Sequence, residues 1–341
     1  MGLQPIIAVV TRDTRLKALK ARWATAKQAM FRLEQAAQHE LELRRQRLIA
    51  AGTQLDTIES ADLADAADAL AEQDEYAEED HIYQSAVQTL LQEIDFGIPI
   101  RTVDRSFLPN FDFLRCVVVV VIGQDGLVAN TAKYAGNLPI IGVNPDPLRN
   151  DGVLLPFLVR HARGVVRHTV YEKPRVREVT LAEVNTNDGQ RMLAFNDFFV
   201  GASSHVSARY TIEVGSRSEA QSSSGILIST GAGSTGWLSS LFNMTNGFSQ
   251  SFGGSEISPV SLKWEDRRLV WAVREPFRSK HSGIDLVAGV LHDSDELIVG
   301  SQMPISGVIF SDGVESDFLE FGSGTIARFA VSKQRAHLVV P

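Results

Sequence analysis

The chain has a single cysteine, Cys116, so no intramolecular disulfide can brace it. Its place beside the apolar run Val117 to Ile122 reads as a buried, chemically inert strand residue. No stretch approaches the roughly 18 to 20 consecutive apolar residues that a membrane-spanning helix needs. The N-terminus lacks a basic leader followed by an apolar stretch of about 7 to 15 residues and a small-residue cleavage site, which makes a cytoplasmic location the expectation. Basic residues form no stripe interleaved with aromatics, and this argues against nucleic acid as a partner. Among the 8 histidines there is no His-Glu-x-x-His and no close His or Cys cluster, so a zinc site held by the protein is not expected.

What the chain does have is length and apolar content. Its 341 residues are enough for two domains of about 150 residues each, with real cores. A hydrophobic share of 44% beside 22% charged residues is that of a folded globular protein. The net charge of -8 is concentrated in one place. Between Ala51 and Asp80 stand eleven acidic residues and no Lys or Arg; without that segment 33 basic residues face 30 acidic ones. One acidic insert therefore sets the charge of an otherwise nearly neutral chain. Leu63, Ala66, Ala67 and Leu70 lie at helical spacing within it, but its like charges suit a solvated loop equally well.

Read in order, the chain opens with a buried β-branched run, Pro5 to Thr11, followed by a long amphipathic stripe from Arg15 to about Ile49. A second helical pattern covers His81 to Ile94. The apolar runs Ile98 to Val103, Arg115 to Ile122 and Leu138 to Asn144 follow, with a crossover helix expected over Ala129 to Ala135. Alternating helices and buried β-branched runs predict a parallel sheet. After Pro145 the pattern changes to short β-rich segments separated by Gly, Asn and Asp turns: Glu178 to Val184, Arg191 to Gly201, Ala208 to Gly215, Gly225 to Ser229, Arg268 to Val273, Glu296 to Val299 and Val308 to Phe310. The expectation is an α/β chain: a Rossmann-like N-terminal domain with a parallel sheet over 1–145, carrying a helical, acidic insert at about 50–80, then a β-rich domain over 146–341.

Three places carry chemistry. Gly123-Gln124-Asp125-Gly126 directly follows the strand ending at Ile122 and precedes a helix, at the sheet edge where open α/β folds bind ligands. Its glycines let backbone approach a phosphate, and the helix start offers N–H groups to an anion. Asp125 repels phosphate, but suits accepting a proton from an attacking hydroxyl or orienting Mg²⁺. An Asp-Gly turn whose carboxylate caps the helix is the plainer reading. The second place, Ser229 to Trp237, holds Thr230, Gly233, Ser234, Thr235 and Gly236 among its small and hydroxylated residues and would line a nucleotide's phosphates or ribose; the alternative is a flexible loop. No Lys follows its last glycine, so it is not a Walker A loop. The third, Asn196-Asp197, interrupts an apolar stretch, and would serve either to bond a ligand or to form a bulge or turn.

In this order the three motifs resemble those of the NAD kinase family: Gly-Gly-Asp-Gly at Gly123 to Gly126, Asn-Glu at Asn196-Asp197, and Thr-x-x-Gly-Ser-Thr-x-aromatic over Thr230 to Trp237. Gly142 to Pro147, Ser223 to Gly225, Val273 to Pro276 and Ser311 to Gly313 are similar to the branch that contains the mitochondrial enzymes. Gln124 stands where the family has its second glycine, Asp197 where it has Glu, and Ser224 where many bacterial members have Asp. The resemblance implies transfer of the γ-phosphoryl group of ATP, with Mg²⁺, to the 2′-hydroxyl of the adenosine ribose of NAD. It makes Asp125 the base, and Asn196, Asp197, Thr235, Gly236 and Trp237 the holders of the dinucleotide, with Gly123 and Gly126 admitting the phosphates. It also implies a homodimer. A kinase of the same superfamily acting on another hydroxyl, or a nucleotide-binding protein without catalysis, are the alternatives.

Overall fold

Seven consecutive residues of Cys116–Ile122, all but one buried, form the central strand of a computed structural model that describes residues 4–23 and 75–341 and scattered positions over 28–50. The stripe expected over Arg15 to Ile49 is helical at Arg15–Trp23, and beyond that it falls largely outside the described residues. Residues 51–74 of the acidic insert also lie outside them, whereas 75–80 open a helix over 75–93.

Strands β1 (Ile6–Thr11), β2 (Ile100–Asp104), β3 (Cys116–Ile122) and β4 (Pro139–Asn144) pair in parallel in the order β2-β1-β3-β4, and a short β5 (Phe157–Leu158) adds to β4. Alternate residues of β1 and β3 enter two separate cores. Ala8, Val10, Val119 and Val121 face one, with Leu127 and Val128 of the helix Asp125–Ala132. Ile7, Val9, Val118 and Val120 face the other, with Leu90 of helix 75–93 and Val166 of the helix Ala162–Tyr171. Burial on both faces explains the unbroken valine run. The crossover helix begins at Asp125, four residues earlier than its apolar pattern predicted, because Asp and Gly at its start carry no periodic signal.

The C-terminal half supplies β6 (Val176–Thr186), β7 (Arg191–Ala194), β8 (Asp197–Ala202), β9 (Ala208–Val214), β10 (Arg217–Ser223), β11 (Ile226–Ser229), β12 (Arg268–Val273), β13 (Ala288–His292), β14 (Leu297–Ser301), β15 (Gly307–Ser311), β16 (Phe318–Glu320) and β17 (Ile326–Val339). The segment read as one, Arg191 to Gly201, is two strands that belong to different sheets, divided at Phe195-Asn196. Strand β17 runs antiparallel to β6 and β14 and then parallel to β4 through His337 and Leu338. It thereby makes the parallel strands and the antiparallel ones a single eleven-stranded sheet. The remaining strands form an antiparallel sheet in the order β13-β12-β11-β8-β15-β16. Phe198, Val200 and Ile228 of this second sheet pack against Val184, Ile212, Leu297 and Phe329 of the first, a two-layer sandwich core. The α/β reading, with a parallel sheet and a β-rich remainder, matches this architecture. Cys116 is buried and free, and burial pushes its thiol up.

Candidate active site

Strand β3 ends at Ile122, and the chain turns through Gly123 and Gln124 into the helix Asp125–Ala132. A Cβ on Gly123 would come within 2.9 Å of Leu127, so packing of the helix onto the sheet itself demands a small residue there. At Gly126 the space is open: no atom lies within 4 Å of where a Cβ would stand. Gln124 is exposed and its side chain does not cap the helix, whose first N–H groups therefore keep their capacity for an outside acceptor. The Asp125 carboxylate does not cap its own helix either. It accepts the backbone N–H groups of Leu154 at 2.8 Å and Val153 at 3.2 Å, from the loop that follows β4. Two fixed donors set its orientation, and the half-buried carboxylate keeps lone pairs for a further donor.

The helix that begins at Asp125 leads to Lys133, whose side chain is 2% exposed. Lys133 donates to Ser311 Oγ at 2.8 Å and lies 3.9 Å from both Asp312 and Asp317. Burial pulls the Lys133 ammonium below its ordinary pKa, although the two aspartates push the other way. Tyr134 donates to Asp317 beside it. Asp312 sits at a φ of 54°, the left-handed backbone of an Asp-Gly turn, and its side chain is 1% exposed. Its carboxylate accepts the backbone N–H groups of Asn196 at 2.6 Å, Phe195 at 3.1 Å and Asp197 at 3.4 Å. Burial drives its pKa up against the opposing pull of Lys133 and those three bonds. The turn between β7 and β8 is thus built on one carboxylate, which in turn leans on one lysine.

The glycine-rich segment closes over the same turn. Thr230 is fully buried; its N–H donates to Asn196 O at 2.8 Å and its hydroxyl to Phe195 O at 2.6 Å, and it accepts from Gly233 N at 3.2 Å. A Cβ on Gly233 would stand 2.2 Å from Asn196 O, and one on Gly231 2.0 Å from Lys263 O. Ser234 donates to Gly231 O at 2.7 Å. The segment is a constrained turn, not a flexible loop. Thr230 and Gly233 face the protein, while Thr235 and Gly236 are exposed and Trp237 is half-buried. Trp237 stacks on Phe199 of β8, with ring centres 5.8 Å apart and planes within 8°. Arg274 lies 5.0 Å over the Trp237 ring, and these three residues border a cavity of about 1010 Å³.

The side chains left available are those of Asn196 and Asp197, which have no hydrogen-bond partner among the described residues. Asp197 is 8% exposed, and burial, aided by the charge of Asp312, pushes its pKa up to about 7. The structure therefore brings Asn196, Asp197, Thr230 and Gly233 into direct contact and ties them through Asp312 and Lys133 to the helix that Asp125 opens. Lys133 and Asp312 are the functional candidates that residue-by-residue reading missed. Ser311 to Gly313 was legible only as a resemblance, and Lys133 fell inside the expected crossover helix without being singled out.

No protein-family model and no curated protein matches the chain. Among solved structures, the crystal structure of yeast NADH kinase complexed with NADH superposes with a TM-score of 0.52 over 99% of this chain and 84% of that one, at 15% identity. The chain shares the fold of that kinase. The NAD kinase from Archaeoglobus fulgidus, in complex with ATP, matches 76% of this chain and 89% of its own at 17% identity, with a TM-score of 0.49.

Proposed function

We propose that the chain is an ATP-dependent NAD kinase that transfers the γ-phosphoryl group of ATP to the 2′-hydroxyl of the adenosine ribose of NAD. The observation that carries the reading is Asp125: a carboxylate held by two backbone N–H groups at the carboxyl edge of the parallel sheet, beside a helix start with no side-chain cap. Phosphoryl transfer needs little covalent help from a protein; positioning and charge neutralisation supply most of the rate. Asp125 takes the proton from the attacking 2′-hydroxyl. The open space at Gly126 admits the phosphates, and Gly123 lets the turn sit against the sheet. Asn196 and Asp197, with free polar atoms on a braced turn, hold the ribose hydroxyls, and Thr235, Gly236 and Trp237 border the dinucleotide. Mg²⁺ would enter with ATP and supply charge neutralisation at its phosphates.

A homodimer is part of the same reading. Met244 and Phe248 along the helix Trp237–Ser251, and Phe252 just past its end, with Phe277 and Ile305, are large apolar side chains left exposed, and such residues favour burial against a second copy. Light scattering of the purified chain tests it. The reaction itself is tested by incubating the protein with NAD or NADH, ATP and Mg²⁺ and reading the product with an NADP-specific dehydrogenase. NADP from the wild type and not from Asp125→Asn supports the assignment. Absence of NADP while both nucleotides bind overturns it.

A further inference from the structure

The acidic segment plays no part in the reading above, yet its described end lies against the phosphate side of the candidate site. Residues 75–80 begin the helix 75–93, and their carboxylates meet three guanidinium groups: Arg12 in the loop that follows β1, Arg15 at the start of the next helix, and Arg149 in the loop that follows β4. Glu79 accepts from Arg12 at 2.8 Å and from Arg15 at 2.6 Å, Glu75 from Arg15 at 2.7 Å, and Glu78 from Arg149 at 2.7 Å. Arg149 also donates to Asp146 at 2.7 Å. With Gln124, the three arginines, Glu75, Glu79 and Asp146 line a cavity of about 420 Å³ at the carboxyl edge of the parallel sheet. Arg149 belongs to the same connection as Val153 and Leu154, whose N–H groups hold Asp125.

One of these pairs differs from an ordinary surface ion pair, whereas Arg15–Glu75 and Arg149–Glu78 are more exposed. The Arg12 and Glu79 side chains are 13% and 9% exposed, so each charge depends on its partner. Arg12 Nε is buried and has no acceptor, which leaves the guanidinium one oxygen short. Burial pushes the Glu79 carboxyl up, but the hydrogen bonds from Arg15 and Arg12 outweigh it and hold it below the usual range. A guanidinium fork accepts carboxylate and phosphate oxygens in the same geometry.

We propose that Arg12, Arg15 and Arg149 form a polyphosphate subsite beside Gln124, and that Glu75, Glu78 and Glu79 of the acidic segment occupy it as internal stand-ins. Binding of the phosphoryl donor exchanges carboxylate oxygens for phosphate oxygens, so the acidic segment sets how tightly the donor binds. The choice of ligand rests on the phosphotransfer reading; the exchange itself does not.

Calorimetric titration of the full chain with inorganic tripolyphosphate, and separately with NAD, tests the subsite without turnover. The Glu75→Gln, Glu78→Gln, Glu79→Gln triple variant is expected to bind tripolyphosphate about tenfold more tightly, and Arg149→Gln about tenfold more weakly, with NAD affinity unchanged in both. Because Glu79 is buried against Arg12, the double variant Glu75→Gln, Glu78→Gln keeps the test open should the triple variant fail to fold; about threefold tighter binding is expected there. Tripolyphosphate binding that is no tighter in the neutralised variants, or untouched in Arg149→Gln, overturns the proposal. If the titrations behave as expected while the NADP assay gives nothing, the subsite stands and the NAD kinase reading falls.

Discussion

The Asp125 turn and the Thr230 turn are built alike: each follows a buried strand, each is rich in glycine and each leads into a helix. Their polar groups are employed differently. Around Thr230 the hydroxyl and N–H bond the Phe195-Asn196 turn, Gly233 packs on Asn196 and Gly231 on Lys263. Around Asp125 the helix start is uncapped, Gln124 is exposed and Gly126 faces open space. Two glycine-rich motifs that look equivalent in sequence thus do different jobs. One is a brace that presents Asn196 and Asp197, and the other is a surface that a ligand can reach.

Substitutions that separate stability from turnover test that contrast. The largest effect is expected from Asp125→Asn, which keeps the shape and loses the proton acceptor: turnover should fall by about 10²- to 10⁴-fold with only a small change in melting temperature. Full wild-type turnover would remove Asp125 as the base. Next comes Lys133→Met. It strands Asp312 as a buried charge without its cation, and loss of a buried partner costs about 3 to 5 kcal/mol, read by urea unfolding. The glycines give the sharpest form of the comparison. Gly233→Ala forces a Cβ to 2.2 Å from Asn196 O and should cost stability on the order of 1 to 3 kcal/mol. Gly126→Ala meets nothing in the protein, so its melting temperature should stay within a degree or two of wild type while nucleotide affinity falls; equal melting losses at both glycines would erase the distinction.

The smallest expected effect is a pH dependence at Asp197. Its carboxyl titrates at about 7 in the folded chain against an ordinary 3.8. A raised folded pKa means that the stability associated with the protonated form is complete below about pH 4 and is lost as pH rises toward 7. Asp197→Asn should flatten that part of the stability curve. If the ionised carboxylate accepts ribose hydroxyls, NAD affinity of the wild type should rise through pH 7 and that of the variant should not. Parallel curves for the two proteins would exclude Asp197 from ribose binding.

Much of the fold was legible because local pattern and tertiary role coincide. The β1, β3 and β4 runs are apolar up to their last residues, being covered on both faces, and the helix from Trp237 begins where its glycines end. Strands β10 and β13 were not anticipated, since Arg217–Ser223 is polar and Ala288–His292 is short and mixed. Strand β17 was missed for another reason: polar Ser332 to Arg335 interrupts it where its register with β6 shifts. The division of Arg191 to Gly201 was signalled only by the polar pair Asn196-Asp197; that the apolar residues on either side of it enter different sheets had no local signal.

The sequence by itself determined the parallel run of buried valines, the position of Asp125 at a strand's carboxyl end and the order of three polar motifs, since each depends on residues adjacent in the chain. Only the tertiary structure decided that Thr230 faces inward and Thr235 outward, that Lys133 and Asp312 brace the Asn196 turn across 179 positions, and that the acidic residues 75–80 meet Arg12, Arg15 and Arg149. Those contacts arise from closure of long loops around a shared core, and desolvation, which gives them their strength, exists only once that core has formed.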